Sequence, residues 1–441
     1  MTDAHVGRSG RRLTATVTDL DVERQRGFLI GVIRPGDDTD DAERSLQELV
    51  LLTDTAGSEP IDSELVRRDR IDPATYIGSG KAAELAAVTT GLDIDVVVFD
   101  NELSPAQQRN LQKIFHCDVV DREAVILDIF AENARSRRGA LQVELALYRY
   151  NLPRLRGRGS ELSQQAGGIG ARRGPGETKL ETDRRRIQAR ITRLTRELED
   201  VSKVLATQRK ARKRSAIPHV ALVGYTNAGK STLLNQLTEA DVLVQNRLFS
   251  TLDSTVRKLN LPSAPPALIS DTVGFVRRLP HHLVEAFQST LIEVKEADLM
   301  LHVVDSSDPD PQGQIAAVRE VLLEIGANEV PERLVFNKVD LASDIALTRL
   351  GNLYPDAAFV SALTGAGLVD LQHDIAGDLE AQTTLMRLAV PYDRGDIVAS
   401  AHRLGEVVAE KHDEEGTLLE VRLPTRTVSE FSAFVSSPGV E

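Results

Sequence analysis

The nine residues GYTNAGKST, Gly224 to Thr232, constrain the fold of this chain more than any other segment. They follow the apolar run VALV and open the helical pattern STLLNQL. The spacing G-x-x-x-x-G-K-S between a strand and a helix is typical of a phosphate-binding loop, whose backbone N–H groups surround the α- and β-phosphates of a nucleotide. A chance glycine-rich turn is the alternative, which the flanking strand and helix disfavour. The sequence therefore predicts an α/β domain with a nucleotide site at this loop.

Two side chains of this loop are expected to carry chemistry. Lys230 would reach the β- and γ-phosphate oxygens and act in catalysis, and the Ser231 hydroxyl would bind Mg²⁺. The other loop residues are expected to line the nucleotide: Gly224, Tyr225, Thr226, Asn227, Ala228, Gly229 and Thr232.

The four residues NKVD, Asn337 to Asp340, select the base. Asp340 can accept hydrogen bonds from both N1–H and the exocyclic amine of guanine, a pairing that adenine does not offer. We expect Asn337 to tie this loop to the phosphate-binding loop and the stem of Lys338 to cover one face of the base. The predicted substrate is GTP and the product GDP. The predicted base-site residues are Asn337, Lys338, Val339, Asp340, and, through a backbone contact to guanine O6, Ser361, Ala362 and Leu363.

Two further segments are expected to sense the γ-phosphate. In QNRLFSTLDSTVRKL a hydroxyl is needed as a second Mg²⁺ ligand, and we choose Thr251, with Thr255 and Ser250 as alternatives. In DTVGF, Asp271 would hold Mg²⁺ through water and the Gly274 N–H would contact the γ-phosphate. The predicted Mg²⁺ ligands are thus Ser231, Thr251 and Asp271, the predicted catalytic residues are Lys230, Thr251 and Gly274, and further nucleotide contacts are Phe249, Ser250, Thr272 and Val273.

Phe275 follows Gly274 at the position where some GTP hydrolases place the glutamine that orients the attacking water. A phenyl ring cannot orient a water molecule, so we predict slow intrinsic turnover. Orientation would then come from backbone groups or from a partner that orders the loops. The ring itself is expected to pack beneath the switch segment.

The rest of the chain is expected to form further domains, because 441 residues exceed the usual size of one domain. Near the N-terminus, apolar runs (LVLLTD, DVVVFD, CDVV) alternate with helical patterns (KAAELAAV, PAQQRNLQKIF), which predicts an α/β layer with a largely parallel sheet. Two helical patterns follow, from Asp121 to about Tyr150 and from about Glu177 to Arg214, and predict an antiparallel helical hairpin. The second pattern carries a coiled-coil seam at Ile187, Ile191, Leu194, Leu198, Val201 and Leu205.

A second alternation of strands and helices begins at His219, with strand patterns HVALVG, ALISDTVGF, LMLHVVD, RLVFNKVD and AAFVSAL. The C-terminal segment shows the pattern strand, helix, two strands and helix. The predicted parts are a mobile N-terminal extension at 1–40, an N-terminal α/β domain at 41–120, a helical hairpin at 121–215 with a glycine- and arginine-rich loop at 160–178, a G domain at 216–385 and a C-terminal α+β domain at 386–441.

Composition excludes several classes of protein. No apolar run approaches the ~18 residues of a membrane span, and the N-terminal arginines lack the apolar stretch of a secretory signal. The formal charge of −13 argues against a protein that coats nucleic acid indiscriminately, and the single cysteine, Cys117, excludes a disulfide framework. We expect a cytoplasmic monomer, with partial association with the membrane surface as an open alternative.

The segment GGIGARRGPGETKLETDRR, beginning at Gly167, resembles the HflX family of translational GTPases. GYTNAGKST, FSTLDST, DTVGF and the C-terminal PYDRGD extend the resemblance from about Glu43 to the C-terminus. It implies an N-terminal α/β domain, a long antiparallel helical hairpin, a P-loop GTPase domain and a small α+β C-terminal domain. It also implies a GTPase that binds the large (50S) ribosomal subunit, splits stalled or idle 70S ribosomes under heat or antibiotic stress, and is stimulated by the ribosome.

The same resemblance implies contacts with ribosomal RNA near the peptidyl transferase centre. From Arg154 to Gly174 the chain has five arginines and one acid, Glu161, among glycines that let a backbone approach RNA closely. A flexible hairpin tip is the alternative. The implied RNA contacts are Arg154, Arg156, Arg158, Gly167, Gly168, Gly170, Arg172, Arg173, Gly174 and Gly176.

Members of the family are also associated with ATP use by the N-terminal domain, but the segment GSGKAAEL, Gly78 to Leu85, departs from a phosphate-binding loop. Thr75 stands where the first glycine is required, and Ala82 replaces the Mg²⁺-binding hydroxyl, so we predict a bare helix N-terminus there. The chain also has Asp253-Ser254-Thr255 where the family commonly has Asp-Pro-Thr, so the backbone of this loop is less constrained, and Thr255 and Ser250 stay open as alternatives to Thr251.

Two other functions stay open at this stage. One is an assembly GTPase that acts on immature large subunits, which the shared GTPase motifs do not separate from a splitting factor. The other is an ATP-dependent RNA-remodelling protein that uses the N-terminal domain.

Overall fold

The chain divides into two compact units. One comprises Met1–Ala134 and Val143–Thr195, and the other Arg135–Gln142 and Arg196–Glu441. The computed structural model describes residues 24–155, 175–213, 217–238, 248–249, 255–262, 264–278 and 291–436.

The first unit contains a four-stranded parallel sheet in the order β2-β1-β3-β4. Its strands are β1 (Gln25–Ile33), β2 (Ser58–Arg67), β3 (Val96–Phe99) and β4 (Asp118–Asp121). The connecting helices are α1 (Thr39–Thr55), α2 (Ser79–Gly91) and α3 (Pro105–Phe115). Phe28, Ile30, Val97 and Phe99 form the centre of a buried apolar cluster on this sheet. The predicted α/β layer with a parallel sheet is therefore confirmed.

The predicted mobile extension at 1–40 is wrong for its described part, residues 24–40. The apolar run GFLIGVI lies in β1, next to the centre of the sheet, where Phe28, Leu29 and Ile30 are buried. A continuous apolar run is typical of a parallel strand that is covered on both faces, and this signal was available in the sequence. Residues 1–23 lie outside the described chain.

The prediction of a strand at the run LVLLTD is wrong, because these residues lie in helix α1. Leu49 and Leu52 are three residues apart and buried, whereas Leu51 is 58% exposed, as the helical period requires. The side chain of Asp38 accepts a hydrogen bond from the Asp40 N–H and caps this helix. The cap residue and the acidic first turn were a helix start signal that the apolar run concealed.

The helical pattern that begins at Asp121 is divided into two helices. Helix α4 (Arg122–Asn133) ends where Ala134 becomes extended, and α5 (Arg137–Arg154) follows it. Because α4 packs on α1 and β4, it completes the N-terminal domain, and the predicted hairpin boundary at 121 is wrong.

Helix α6 (Pro175–Lys213) contacts α5 through an ion pair between Arg190 and Glu144. Arg190 Nε and Nη2 donate to Glu144 Oε1 at 2.9 and 2.7 Å. In the predicted seam, Leu194 is buried, and Ile187 and Ile191 are half-buried.

The second unit contains a six-stranded sheet in the order β10-β9-β8-β5-β7-β6, in which β6 alone runs antiparallel to its neighbour. The strands are β5 (His219–Gly224), β6 (Val256–Leu259), β7 (Ala267–Asp271), β8 (Leu299–Asp305), β9 (Glu332–Asn337) and β10 (Ala358–Phe359). Four helices are α7 (Lys230–Thr238), α8 (Pro311–Glu324), α9 (Asp344–Leu353) and α10 (Leu368–Ala381). The predicted strands of the G domain are confirmed, and β6 lies within a segment for which the sequence predicts a loop.

The C-terminal part consists of β11 (Thr383–Pro391), α11 (Gly395–Leu404), β12 (Glu406–His412), β13 (Gly416–Pro424) and α12 (Val428–Phe431). Its antiparallel sheet has the order β11-β13-β12, and the predicted sequence of strand, helix, two strands and helix is confirmed. The predicted boundary at 385/386 falls inside β11 and moves to about residue 382. Across the described residues, no helix combines the length and apolarity needed to cross a membrane.

Candidate functional site

The predicted phosphate-binding loop connects the end of β5 at Gly224 to the start of α7 at Lys230. Gly224 has φ +147°, and a Cβ there would overlap the carbonyl oxygen of Val303 in the neighbouring strand. Gly229 has φ +91°, and a Cβ there would overlap the side-chain nitrogen of Asn337. Both glycines of the motif are therefore required by the close approach of other parts of the domain.

Lys230 is buried at the mouth of this loop. Its Nζ donates to the carbonyl oxygens of Gly224 at 3.0 Å and Tyr225 at 2.7 Å. Burial lowers the pKa of Lys230 to about 8, although the charge of Asp271 acts in the opposite direction. The loop thus holds a cationic side chain that is poorly solvated and suited to an anionic ligand.

The Ser231 hydroxyl, in the first turn of α7, and Asp271, at the end of β7, lie next to each other in the interior. Ser231 Oγ donates to Asp271 Oδ2 at 2.5 Å, and both residues are buried. A hydroxyl and a carboxylate at this separation are hard oxygen donors that can face the same small cation. Their chemistry therefore fits Mg²⁺. The neighbouring Thr272 hydroxyl donates to Leu222 O at 2.7 Å and fixes the end of β7 against β5.

The DTVGF segment lies directly against the phosphate-binding loop. The Phe275 N–H donates to Gly224 O at 3.2 Å, and the Thr226 N–H donates to Phe275 O at 2.7 Å. A Cβ at Gly274 would lie 2.7 Å from Thr226 Cγ2 and 3.2 Å from Lys230 Nζ, so glycine is required at this contact. The Phe275 ring is only 2% exposed, which confirms that it packs in the interior, and buried Val273 adjoins Gly274.

Asn337 connects three loops at the C-terminal ends of the strands. Its Nδ2 donates to Ala228 O at 2.9 Å, and its Oδ1 accepts from the Ala362 N–H at 2.9 Å. Because Asn337 is itself buried, both hydrogen bonds are shielded from water. The NKVD segment, the phosphate-binding loop and the SAL segment therefore form one framework.

The other base-site residues surround this framework. Lys338 has φ +63°, and its Nζ donates to Asp305 Oδ2 at 2.7 Å. The Val339 N–H donates to Val360 O at 3.2 Å, and Ser361 is buried. Asp340 is exposed, and its carboxylate is available to a base. Leu363 is 77% exposed at the rim of the site.

The first switch segment is described only in part. Thr251 and Ser250 lie outside the described residues, while Phe249 is buried with φ +56°. The backbone oxygen of Thr255, the alternative metal ligand, accepts from the Asp271 N–H at 3.1 Å, which brings this residue beside the DTVGF segment.

Most of the predicted RNA-contacting residues also lie outside the described chain: Arg156, Arg158, Gly167, Gly168, Gly170, Arg172, Arg173 and Gly174. Gly176 lies in the first turn of α6. Arg154, at the end of α5, is the member of this set whose side-chain contacts are described.

The guanidinium of Arg154, for which the resemblance implies an RNA contact, is engaged within the protein. Nη2 donates to Asp121 Oδ2 and to Leu103 O, both at 3.0 Å, and Nε donates to Gln108 Oε1 at 3.0 Å. The guanidinium also stacks on the ring of Tyr150, with Cζ 3.5 Å from the ring centroid. Since Asp121 is fully buried, Arg154 acts as its counter-charge and anchors α5 to the N-terminal domain.

Sequence reasoning missed three residues that support the nucleotide site: Arg277, Asp310 and Asp305. Arg277 N donates to Tyr225 Oη at 2.6 Å, and the Arg277 guanidinium pairs with Asp310, the residue that caps helix α8. Asp305 is the partner of Lys338. A carboxylate at the C-terminal end of a parallel strand, as Asp305 is in β8, was the available signal.

Models of three protein families match successive parts of the chain. Residues 43–131 match the family described as GTP-binding GTPase N-terminal, and residues 133–212 match GTP-binding GTPase Middle Region. Residues 219–338, which contain the site, match the family described as 50S ribosome-binding GTPase.

Curated relatives match over nearly the full length. GTPase HflX of Caldanaerobacter subterraneus subsp. tengcongensis is 43% identical over 419 residues, which cover 95% of this chain and 96% of that protein. GTPase HflX of Escherichia coli is 42% identical over 382 residues, which cover 86% and 89%. Among solved structures, a GTP-binding protein of Sulfolobus solfataricus in complex with GDP aligns with 23% identity and a TM-score of 0.41, covering 80% of this chain and 98% of that one.

Proposed function

This chain belongs to the HflX family of GTPases and hydrolyses GTP, and from this premise we propose that it binds the large (50S) ribosomal subunit in its GTP-bound form. There it splits stalled or idle 70S ribosomes under heat or antibiotic stress, and the ribosome stimulates its GTPase activity. GTP hydrolysis then releases the protein as its GDP form. It acts as a monomer in the cytoplasm.

The observation that carries this proposal is the buried Phe275. Its ring is packed in the interior, and its backbone N–H and C=O are bonded to the phosphate-binding loop, so this residue cannot orient water. An enzyme without a water-orienting side chain at this position depends on backbone groups or on a partner to complete the site. The matching family model, which is described as a 50S ribosome-binding GTPase, supports the large subunit as this partner.

In the proposed mechanism, Lys230 binds the β- and γ-phosphate oxygens, and Ser231 and Asp271 would hold Mg²⁺. Mg²⁺ bound there supplies positive charge that offsets the charge of the phosphates. The Gly274 N–H donates to the γ-phosphate, and Thr251 would supply a second hydroxyl ligand for the ion. Water attacks the γ-phosphorus while the bond to the bridging oxygen breaks, so that GDP and phosphate leave.

The base is held at the other end of the site. Asp340 accepts from guanine N1–H and the exocyclic amine, the Lys338 stem covers one face, and the Ser361–Leu363 backbone contacts O6. Asn337 keeps this end fixed to the phosphate-binding loop through its hydrogen bond to Ala228 O at 2.9 Å. The geometry therefore supports guanine recognition and phosphate binding as parts of one pocket.

We assign the parts of the chain outside the G domain to ribosome recognition. These are the N-terminal domain at residues 24–133, helices α5 and α6 at 137–213 and the C-terminal domain at 383–436, whereas the G domain occupies 217–382. The glycine- and arginine-rich loop between α5 and α6 contacts ribosomal RNA near the peptidyl transferase centre, with Arg156, Arg158, Arg172 and Arg173 as its cationic residues. Arg154 is left out of this set because it is the internal counter-charge of Asp121.

The test measures GTP turnover with and without purified 50S subunits, for the natural chain and for a variant that lacks residues 167–176. We expect the natural chain to be strongly stimulated, and the shortened variant to keep its basal rate and lose most of the stimulation. Equal rates in all four reactions would refute a ribosome-activated enzyme.

Sucrose-gradient profiles of 70S ribosomes mixed with the GTP-bound protein distinguish splitting from assembly. We expect 70S particles to be converted into subunits, with Lys230→Ala as an inactive control. Intact 70S particles together with binding to immature 50S precursors would instead identify an assembly GTPase.

A further inference from the structure

The residue after DTVGFV, Arg277, is fixed at both its backbone and its side chain. Its N–H donates to Tyr225 Oη at 2.6 Å, and its Nη2 donates to Asp310 Oδ2 at 2.5 Å. The side chains of Arg277 and Asp310 are only 15% and 25% exposed, so water and salt screen this ion pair less than a surface pair. Arg277 is thus tied to the phosphate-binding loop on one side and to helix α8 on the other.

Asp310 is itself held rigidly. Its Oδ1 accepts from the Gly313 N–H at 3.0 Å and caps α8, which packs on the central strands β5 and β8. A Cβ at Gly313 would lie 2.5 Å from Arg277 Nη2 and would also overlap the Asp310 carboxylate, so the absence of a side chain at Gly313 makes room for the pair. The ion pair therefore connects Arg277 to the part of the domain that carries the sheet.

The segment from Gly274 to Arg277 makes three hydrogen bonds to the phosphate-binding loop. Besides the bond from Arg277 to Tyr225 Oη, these are Phe275 N–H to Gly224 O at 3.2 Å and Thr226 N–H to Phe275 O at 2.7 Å. Gly274 has no side chain, so the direction of its N–H is set entirely by its neighbours in the chain. The bonds on its C-terminal side hold the chain that follows Gly274, and the bond from the Thr272 hydroxyl to Leu222 O holds the chain that precedes it.

We propose that Arg277, held by Asp310 and Tyr225, is a positioning residue that fixes the Gly274 N–H where it meets the γ-phosphate. Arg277 acts through Gly274 and touches neither the nucleotide nor the metal. The inference rests on the proposed contact between Gly274 and the γ-phosphate and goes beyond it, because it names the groups that make the enzyme distinguish GTP from GDP. The contact is made by GTP alone, since GDP has no γ-phosphate.

The loss of the contacts of Arg277 should change the affinity for GTP by a defined factor. A Gly274 backbone that is no longer fixed must be ordered when GTP binds, and ordering about one residue of backbone weakens an affinity on the order of tenfold. GDP binding does not require that ordering. A change in the ratio of GTP to GDP affinity is therefore the signature of positioning, whereas a purely structural defect would weaken both nucleotides alike.

The test measures the dissociation constants of GDP and of a non-hydrolysable GTP analogue with a β,γ-imido bridge, by calorimetry on the full chain without ribosomes. The variants are Arg277→Ala, Arg277→Lys, Asp310→Asn and Tyr225→Phe. Asparagine at 310 can still cap α8, so that variant removes the charge without removing the cap. Arg278→Ala, which changes the exposed neighbouring arginine, is the matched control.

We expect Arg277→Ala and Asp310→Asn to weaken binding of the GTP analogue about tenfold, with GDP affinity within about twofold of the natural chain. Tyr225→Phe should lie in between, Arg277→Lys should recover part of the loss, and Arg278→Ala should change neither constant. An unchanged analogue affinity, or an equal loss for both nucleotides, would overturn the proposal. Because no ribosome is present, this outcome is independent of whether the protein binds the large subunit.

Discussion

Replacing Arg154 by alanine tests whether this residue is an internal anchor or an RNA contact. The change removes the counter-charge of Asp121, which is fully buried, and three further hydrogen bonds, to Leu103 O, Gln108 Oε1 and Tyr150 O. Removing one partner of a buried ion pair typically destabilises a protein by about 3–5 kcal/mol, because the other charge stays buried without compensation.

The structure places the expected effect at the lower end of that range. Arg154 is 14% exposed, and the Asp121 carboxylate keeps hydrogen bonds from Tyr150 Oη at 2.9 Å, Ala124 N at 3.1 Å and Leu103 N at 3.2 Å. We therefore expect Arg154→Ala to lower the free energy of unfolding of the N-terminal unit by ~3 kcal/mol. For a unit of this size the melting temperature should fall by roughly 6–12 °C.

Calorimetry and urea unfolding followed by far-UV circular dichroism provide the assay, since the chain has no tryptophan. Arg154→Lys keeps the charge but not the planar fork of donors, and should lose only ~1–2 kcal/mol. Asp121→Asn completes a double-mutant cycle, in which the effect of Arg154→Ala should be smaller when residue 121 carries no charge. If Arg154→Ala leaves the stability unchanged and weakens binding to 50S subunits, the hypothesis of an internal anchor is refuted and the hypothesis of an RNA contact is supported.

Three further outcomes follow from the nucleotide site. Asn337→Ala removes the hydrogen bonds to Ala228 O and Ala362 N, so GDP affinity measured by calorimetry should fall about thirtyfold, or ~2 kcal/mol. The pKa of Lys230 is lowered to about 8 by burial, and only the protonated amine attracts phosphate, so GDP affinity should weaken about fourfold from about pH 7 to about pH 8.5. Asp340→Asn should weaken GDP binding by about a hundredfold or more and shift preference toward xanthine nucleotides, whose O2 accepts a hydrogen bond where guanine has a donor amine.

Each of these outcomes has a contrary result that would count against the assignment. GDP affinity that Asn337→Ala leaves unchanged would mean that the connection between the loops does not support the site. A flat pH profile would mean that Lys230 keeps its proton throughout this range. An Asp340→Asn variant that binds guanine and xanthine nucleotides as the natural chain does would remove this residue from base recognition.

The nucleotide site was the part most accessible to sequence reasoning. The motif glycines Gly224 and Gly229 stand at positive φ where any Cβ would overlap a neighbouring group, so their spacing reports a local backbone geometry directly. The strands of the G domain were equally accessible, because short apolar runs ended at each motif. Rules that consider only neighbouring residues are sufficient where those residues determine the backbone geometry of the segment.

The errors in the predicted secondary structure arose elsewhere in the chain. The run LVLLTD fits a short buried strand and a helix face alike, and the packing of Leu49 and Leu52 into the core selected the helix. The strand β1 was missed because it precedes the first recognisable motif, although its apolar run GFLIGVI resembles a buried parallel strand. The first mistake concerns which partner a segment packs on, which periodicity over six residues does not reveal, whereas the second left unused an apolar pattern that was present in the sequence.

By itself, the sequence determined the P-loop G domain, the guanine specificity expected from NKVD, and the absence of a water-orienting side chain at Phe275. Only the tertiary structure decided what the arginines do. Arg154 and Arg277 both stand in segments rich in arginine, and one compensates a buried Asp121 while the other connects the switch segment to the cap of α8. The partners of both arginines are 33 residues away in the chain. The role of a long charged side chain depends on the field and the donors that folding brings to it, and these are set by residues distant in sequence.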